Sequence, residues 1–479
     1  MACAATLLAG GCHRARTGSL DVTVIGDRPK LADPAAGPLS SADALLLENA
    51  AQGLVRFDPR GQIEAGLAER WNVSDDGLSY IFRLQSGKWP SGRKIDARDV
   101  VRLLNRARRE TSLDPLKDTL GAIEEIVAMT DRVIEIRLSA PRPHLLQLLA
   151  QPDFAILRDG QSTGPFTLLP TGDTEPLHLR RLMPGADGDT EVREDVRLAA
   201  LPAPSAVAAF IAGRSDLLVG GTFADLAVAL QANPPRGSLR FDPVAGLFAL
   251  IPGRKGGPLA DRALRSLLSR AIDRDMLVAA LRVDALAPRY TLLQPGLDGV
   301  NALPAPPWST VPLARRASSL VTEANRFFGR RPHPVLTISL PAGPGSTLLF
   351  HRLADDLARI GLTLRPATAG DPVDLRLIDE VAPSTSPAWF VRRLRCNRVA
   401  ICDAQVDDLS DAARSTQSAD QRAQFLVGAA RRIDSEFLII PLTAPVRWSL
   451  VDNDAPGFTE NRFARHTLIE LGRKAASER

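Results

Sequence analysis

Alternating apolar and polar residues mark the clearest strand pattern in this chain, just before position 85. The apolar members of the pattern are Leu78, Tyr80, Phe82 and Leu84. Successive side chains of a strand point to opposite faces, so this alternation predicts a strand with one apolar face. The Asp-Asp-Gly at 75–77 predicts a turn before it, because aspartate bonds to its own backbone and glycine accepts a positive φ. A second alternating segment at 132–138 predicts another strand.

A helical pattern follows the first of these strands. Asp96 and Asp99 stand at its start, and an acidic N-cap and first turn suit the positive end of a helix dipole. The apolar positions that follow at helical spacing are Val100, Leu103, Leu104 and Ala107. The segment is therefore predicted to be an amphipathic helix.

Strand and helix patterns continue to alternate through the rest of the chain. A strand is predicted at 20–25, a helix capped by Ser41 runs to Ala50, and one long amphipathic helix is predicted over 258–281. Segments 333–340, 346–361 and 362–367 predict a strand–helix–strand unit with parallel strands and a right-handed crossover. The helix residues predicted to be buried there are Leu349, Leu353, Leu357 and Ile360. A last helix is predicted from about Ala419 to Ile433, and the whole pattern indicates an α/β fold.

Length and composition favour a globular protein of several domains. The chain has 479 residues, which is too long for one core, and its 45% hydrophobic and 24% charged residues are ordinary values. The net charge of +4 comes from arginines spread along the sequence. A nucleic-acid-binding protein is expected to gather its basic residues into a stripe, so we expect no nucleic-acid partner.

The N-terminus, MACAATLLAGGC, has features of an export signal. Small residues at 9–11 directly precede Cys12, as at the end of a bacterial lipoprotein signal, where the cysteine takes the lipid. The segment lacks a basic start and its apolar run is short, which a start codon assigned too late would explain. We expect residues 1–17 to be a leader and tether, with lipidation at Cys12. An ordinary cleaved signal, with Cys12 unmodified, is the alternative.

The two cysteines outside the leader lie six positions apart, at Cys396 and Cys402. In an exported chain such a pair favours a local disulfide, with two unlinked thiols as the alternative. A zinc site needs further ligands nearby, and none of the six histidines lies close in sequence. We therefore expect no metal site.

Motifs that would indicate an enzyme are scarce. The sequence has no H-E-x-x-H zinc motif and no G-x-x-x-x-G-K-[ST] phosphate loop, and we expect no G-x-S-x-G nucleophile elbow. Ser215 comes nearest to a nucleophile, but it lies at a predicted helix-to-strand turn and is interpreted as structural. Adjacent carboxylates such as Asp75 and Asp76 fall in turns or on predicted helix surfaces. We expect no catalytic residue and no cofactor.

Several segments together resemble one known family. The longest is GLVRFDPRGQIEAGLAERWNVSDDGLSYIFRLQSGKWPSGRKIDARDVV at 53–101. It is followed in order by STGPF, SAVAAFIAGRSDLLVG, PLADRALRSLLSRAIDRDMLV, RLADDLARIGLTLRPA and IIPLTAPVRWSLV. This series, from about 20 to 471, resembles the family 5 extracellular solute-binding proteins, which are the oligopeptide- and dipeptide-binding components of bacterial ABC importers.

The resemblance implies a periplasmic-binding-protein-like two-lobed clamp of type II, with an additional domain inserted in the first lobe. Lobe one would comprise 18–43, 161–245 and 442–479, the additional domain 44–160, and lobe two 246–441. Such a protein would act as a monomer in the periplasm or on the outer face of the cell membrane, passing a peptide or other small solute to permease subunits. A ligand sensor or chaperone with the same fold is an alternative, and a secreted hydrolase is a remote one.

Ligand contacts are expected in the segment DLRLIDEVAPSTSPAWFVRRLR, at 374–395. Peptide binders of the family hold the ligand's amino group with an acid of lobe two in a D-x-x-x-D-P-like loop. The acids that match this region are Asp379 and Glu380, and Trp389 is a candidate for stacking on a ligand. The Asp-Pro pair itself is replaced by a Pro-Ser-Thr loop.

Basic residues leave two interpretations of the ligand open, and recognition of its amino group is one of them. Arg28 stands in the loop after the first strand, where some relatives have an acid, and Arg392 and Arg393 lie in the lobe-two segment. Arginine binds carboxylates and phosphates in a bidentate manner, so an anionic ligand is the other interpretation. For each of these charges a solvated loop position is the alternative, and for Trp389 it is a packing role.

Overall fold

A computed structural model describes residues 19–184, 191–329, 333–452, 457–469 and 471. The first elements are β1 (Leu20–Ile25), α1 (Ser41–Ala50), β2 (Val55–Phe57), β3 (Ile63–Ala65), β4 (Ala68–Val73), β5 (Ser79–Leu84), α2 (Ala97–Ala107), β6 (Ile123–Thr130), β7 (Val133–Leu138) and α3 (Leu145–Leu149). The next are β8 (Thr167–Leu169), β9 (Leu177–Pro184), β10 (Glu191–Leu201), α4 (Ala203–Ile211), β11 (Leu217–Thr222), α5 (Leu226–Gln231), β12 (Leu239–Phe241), β13 (Gly246–Pro252), α6 (Arg262–Ala271) and α7 (Arg274–Leu281). The last are α8 (Leu313–Phe328), β14 (Val335–Ser339), α9 (Pro344–Ala358), β15 (Thr363–Pro366), β16 (Leu375–Val381), α10 (Pro387–Arg392), α11 (Ala404–Ser415), α12 (Ala419–Ser435), β17 (Ile440–Thr443) and β18 (Arg447–Val451).

Seven strands form the first sheet, in the order β12-β18-β11-β1-β10-β9-β8. β1 pairs in parallel with β10 and β11, and the other neighbours are antiparallel. Leu45 and Leu46 of α1 are buried in one core with Val22 and Val24 of β1. We call the body built on this sheet lobe one.

The second sheet has five strands, in the order β15-β14-β16-β13-β17. β14 is parallel to β15, and α9 connects them, which confirms the predicted strand–helix–strand unit. The helix residues predicted to be buried, Leu349, Leu353, Leu357 and Ile360, all lie in the core. We call the body built on this sheet lobe two.

A third, antiparallel sheet of four strands, β4-β5-β7-β6, lies beside the two-stranded sheet β2-β3. Tyr80, Phe82 and Leu84 on β5 are buried, whereas Ile81 between them is 42% exposed. The alternation read from the sequence is thus confirmed as a one-sided strand. This body enters the chain between β1 and β8 of lobe one, and we call it the inserted domain.

Two short segments connect the lobes: 242–245 leads from β12 to β13, and 444–446 leads from β17 to β18. The expected fold class is confirmed, since an α/β chain forms two lobes, each with its own sheet, and an additional domain in the first. The residue limits of the domains remain a prediction. The limit between 43 and 44 falls inside α1, and the limit between 441 and 442 falls inside β17.

One helix prediction was wrong. The single helix expected over 258–281 is two helices, α6 and α7, because Ile272 between them is extended, with φ −74° and ψ 126°. The Asp273 carboxylate then accepts a hydrogen bond from the Met276 N–H and caps α7. The cap of α1 also differs: Ser40 supplies it, through Asp43 N, and Ser41 is the first helical residue. Within the described ranges no helix combines the length and apolarity that crossing a bilayer requires.

Candidate ligand-binding site

A cavity of about 540 Å³ lies where the two lobes meet the inserted domain. Lobe one lines it with 220–222, 447–449 and 463–466, and lobe two with 380–383, Trp389 and Arg393. The inserted domain contributes residues that include Pro115 and Gln151. We call this space the central cavity, and a ligand within it would contact all three bodies at once.

The lobe-one wall depends on a close approach between Gly221 and Trp448. A Cβ atom at Gly221 would lie 2.2 Å from the indole ring, so only glycine allows the ring to rest on β11. The indole Nε1 donates to the Thr222 carbonyl oxygen at 2.8 Å, which holds the buried ring in place. This part of the cavity wall is therefore formed by packing and is set before any ligand arrives.

The charges that line the central cavity are mostly paired with each other. Glu380 contacts Arg393, and the Asp242 carboxylate lies 3.1 Å from the His466 ring nitrogen Nε2. Burial raises the pKa of Asp153, which also lines the cavity. A lining with acids and bases in similar numbers suits a ligand that carries both signs of charge.

Asp379 is engaged in an ion pair between the lobes. Its Oδ1 lies 2.8 Å from Nη1 of Arg447, and the two side chains are only 15% and 17% exposed. Burial raises the Asp379 pKa, and the Arg447 charge opposes that rise. Asp379 does not line the central cavity, so of the two acids expected to hold an amino group only Glu380 faces it.

Glu380 and Trp389 are brought together at the central cavity. The Glu380 side chain is 39% exposed, so it is available to a ligand despite its contact with Arg393. Trp389 is 4% exposed and packs edge-on against Phe390, at 5.0 Å between ring centroids. Its ring therefore acts mainly as packing, with an edge on the cavity.

Arg28 lies apart from the other predicted site residues. It is on an exposed loop and donates hydrogen bonds to the Thr171 hydroxyl at 3.2 Å and the Gly172 carbonyl at 3.0 Å. It does not line the central cavity. The contacts within lobe one account for this arginine, and the structure does not place it at the site.

Arg392 lines a second cavity of about 590 Å³, which we call the side cavity. This cavity lies between the inserted domain, at 117–121 and 141–148, and the lobe-two segment that runs from 384 to 426. Arg142 and Arg422 also line it, and sequence reasoning missed both, because they lie far from Arg392 along the chain. The central and side cavities share no lining residue.

The Pro-Ser-Thr loop at 383–385 separates the two cavities and joins lobe two to the inserted domain. The Pro383 carbonyl accepts a hydrogen bond from Gln151 Nε2 at 2.8 Å, and Thr385 N donates to Gln147 Oε1 at 2.9 Å. Ser384 and Thr385 are buried. The loop that replaces the family's Asp-Pro pair is thus a contact between bodies.

The structure shows no assembled catalytic or metal centre among the residues it describes. Ser215 is buried and donates to the Leu217 carbonyl at 2.9 Å, as a structural residue does. A G-x-S-x-G pattern does occur, at 160–164 around Ser162, but a strand follows it, not the helix of a nucleophile elbow. No group of three or more histidine, cysteine or acidic residues in the described ranges is placed to hold a metal ion.

The structure joins Cys396 to Cys402 by a disulfide bond. The bridge closes the short turn between α10 and α11, next to the side cavity, where Asn397 and Arg398 line the wall. Cys12, the predicted lipidation site, lies outside the described residues, so its modification stays a prediction.

Comparison with known sequences identifies one family over most of the chain. Residues 62–377 match the family described as bacterial extracellular solute-binding proteins, family 5. The chain is 26% identical to the probable deoxycholate-binding periplasmic protein YgiS of Escherichia coli, over 52% of each chain. It is 24% identical to probable di/tripeptide-binding protein 5 of Pseudomonas aeruginosa, over 91% of each. The alignments to the first relatives, YgiS included, thus span about half the length of those proteins.

Solved structures show the same fold. Haemophilus influenzae OppA, in complex with RPPGFSPFR, superposes with a TM-score of 0.80 at 16% identity, over 95% of this chain and 98% of that one. At this level of identity the likeness concerns the fold alone, and the arrangement of lobes and inserted domain is what the two proteins share.

Proposed function

This chain belongs to the family 5 bacterial extracellular solute-binding proteins, and from that premise we propose that it is the substrate-binding protein of an ABC importer. It captures a peptide or peptide-like solute in the central cavity and delivers it to permease subunits in the membrane. The solute leaves chemically unchanged. The protein binds and delivers the solute outside the cytoplasm, in keeping with the description of the family as extracellular.

The observation that carries this proposal is the position of the central cavity beside the two segments that connect the lobes. Among the residues that the structure describes, only 242–245 and 444–446 join the seven-stranded sheet to the five-stranded one, so the lobes can rotate about them as rigid bodies. A ligand that contacts both walls binds the closed form better than the open one. A differential affinity of about 5.5 kcal/mol moves such a protein from almost entirely open to almost entirely closed.

The lining of the central cavity supports a ligand with both an amino and a carboxylate group. Glu380 is the lobe-two acid available to an ammonium group, and Arg393 beside it is available to a carboxylate. A volume of about 540 Å³ lies within the range of small-molecule sites and holds a short peptide. The di/tripeptide-binding relative that aligns over 91% of its length supports the same ligand class.

Native mass spectrometry of the purified protein tests this function. We expect a co-purified solute that dissociates intact, and a rise in melting temperature when a short-peptide pool is added to the stripped protein. Glu380→Gln should weaken binding of free peptides more than of N-acetylated ones, because only the former offer an ammonium group. A pool that produces no stabilisation, or a peptide that is consumed during incubation, would contradict the proposal.

We further propose that Cys12 carries a lipid that tethers the protein to the membrane surface, and that the protein acts as a monomer. Metabolic labelling with a fatty acid should mark the wild-type protein and not Cys12→Ser. Unlabelled wild-type protein would exclude the tether and leave the binding function untouched, and light scattering that shows a dimer would exclude the monomer.

A further inference from the structure

We propose that the side cavity is a second binding site, for a small solute that carries at least two carboxylate or phosphate groups. The site lies between the inserted domain and lobe two. It shares no lining residue with the central cavity, so it is separate from the site of the proposed function.

The lining of the side cavity is strongly basic. Eight arginine and lysine side chains line it, against two carboxylates, those of Asp118 and Asp298. Both acids are already engaged. Asp118 pairs with Arg398, while Asp298 accepts a hydrogen bond from the Thr385 hydroxyl and lies 3.5 Å from His144 Nδ1. The cavity therefore has a large excess of positive charge that its own walls do not neutralise.

Some of these cations have acidic partners outside the cavity wall. Arg395 and Arg414 lie 2.6 and 3.3 Å from the Asp411 carboxylate, and Arg395 also lies 3.8 Å from that of Asp407. Asp407 and Asp411 therefore offset charge that these two arginines bring to the cavity.

Four of the lining arginines form no ion pair with a described acidic residue: Arg108, which donates to the Asn105 side chain at 3.3 Å and to the Ile123 carbonyl, and Arg142, Arg392 and Arg422. Arg142 donates to carbonyl oxygens only, those of Pro141 at 2.8 Å and of Arg414. Arg422 donates to the Thr416 carbonyl at 3.1 Å, and its buried Nε has no partner. For Arg392, neither an ion pair nor a side-chain hydrogen bond is formed with any part of the chain that the structure describes.

These unpaired cations are close enough to destabilise one another. Burial, followed by the charges of Arg142 and Arg398, lowers the pKa of Arg392 to about 10. Burial, followed by Arg422 and Arg414, lowers the pKa of Arg142 to about 10. Both side chains remain protonated at neutral pH. Arg142, Arg392 and Arg422 are each half-buried. A cluster of half-buried like charges is costly, and the buried Arg422 Nε is a polar group that a bound anion would satisfy.

An anion removes this cost and uses the geometry of the guanidinium groups. Arg142 comes from the inserted domain, whereas Arg392 and Arg422 come from lobe two, so one solute with two anionic groups can bridge the two bodies. Guanidinium groups bind carboxylate and phosphate oxygens in pairs of hydrogen bonds, which favours such groups over a halide. A volume of about 590 Å³ suits a small solute with several charged groups.

Calorimetric titration of the full chain, freed of bound solutes, tests the site. The probes are citrate, pyrophosphate and acetate, and the first two distinguish carboxylate from phosphate as the preferred group. We expect citrate or pyrophosphate to bind at least about tenfold more tightly than acetate, because a single carboxylate engages fewer guanidinium groups. The absence of citrate and pyrophosphate binding would overturn the proposal.

Variants locate the binding within the protein. Arg392→Gln and Arg142→Gln should each weaken the tighter probe about tenfold or more. The matched control is Arg315→Gln, an exposed lobe-two arginine on α8 outside both cavities, which should bind the probe as the wild type does. If Arg392→Gln does not fold, Arg422→Gln carries the same expectation. Equal affinity in the wild type and in the side-cavity variants would also overturn the proposal.

The same preparations separate this inference from the proposed function. Short-peptide binding to the central cavity should be unchanged in Arg392→Gln. A protein that binds citrate or pyrophosphate through Arg392 but binds no peptide would support the side cavity and contradict the peptide assignment. The reverse pattern would contradict only the side cavity.

Discussion

Replacing Arg447 with glutamine tests whether the ion pair between the lobes stabilises the closed clamp. Arg447 begins β18, directly after the crossing segment 444–446, and Asp379 lies on β16 of lobe two. The wild-type pair has a 2.8 Å contact, and a second bond runs from Arg447 Nη2 to the Asp379 carbonyl at 3.1 Å. Arg447→Gln leaves the Asp379 carboxylate buried without its cation.

The expected cost follows from the burial of both partners. Each side chain is more than four-fifths buried. Removing one member of a buried ion pair costs about 3–5 kcal/mol, because the remaining charge is left uncompensated in a medium that solvates it poorly. If the open form hydrates Asp379, the whole free-energy cost opposes closure of the lobes, and ligand affinity drops by about two to four orders of magnitude.

The assay is calorimetric affinity for the co-purified solute, measured from pH 5 to pH 8. In Arg447→Gln the pKa of Asp379 rises further, since burial already raises it and Arg447 is the first opposing charge. Closure of the variant should then take up a proton, so its affinity should improve as the pH falls.

Two further proteins control the measurement. Asp379→Asn combined with Arg447→Gln should recover most of the affinity, because no buried charge remains. Arg240→Gln breaks an exposed pair with Glu460 inside lobe one and should change affinity by less than about 1 kcal/mol. A double variant as impaired as Arg447→Gln would refute the reasoning and indicate that Arg447 contacts the ligand directly.

Three further predictions concern stability. Burial raises the Asp434 pKa to about 7, so the wild type loses stability as the pH rises from about 4 to about 7. Asp434→Asn should therefore be more stable at pH 8 by roughly 4 kcal/mol in urea denaturation, with no gain at pH 4; an equal difference at both values would contradict this. Gly221→Ala should cost about 1–3 kcal/mol, because its Cβ would overlap Trp448, and an unchanged melting temperature would contradict the packing. Reducing the Cys396–Cys402 bridge should cost roughly 2 kcal/mol, given its short loop, and no loss in reductant would contradict this contribution.

Elements with a strict apolar period were predictable from the sequence. The alternation around Phe82 and the helical spacing from Leu349 to Ile360 each correspond to a buried face. The break between α6 and α7 was not predicted, because the apolar spacing continues across Ile272 while the backbone there is extended. Asp273 was the available signal, since an aspartate before Arg274 and Asp275 is a common start of a helix.

The candidate site was predictable only in part. The resemblance pointed to the segment around Glu380 and Trp389, and both line the central cavity. It also pointed to Asp379, whose ion pair forms with a residue 68 positions away along the chain. The side cavity draws Arg142 and Arg422 from separate bodies, so no local pattern in the sequence marks it. Whether a charged side chain is available to a ligand depends on the residues that contact it, and these come together only in the folded chain.

Small-angle X-ray scattering most directly tests the claim that two lobes close around a solute that is released unchanged. The stripped protein would be measured before and after saturation with the solute that native mass spectrometry identifies, and the solute would be recovered and weighed afterwards. The account predicts a smaller radius of gyration in the saturated protein and a solute of unaltered mass. An identical radius at full occupancy, or a solute of changed mass, would contradict it.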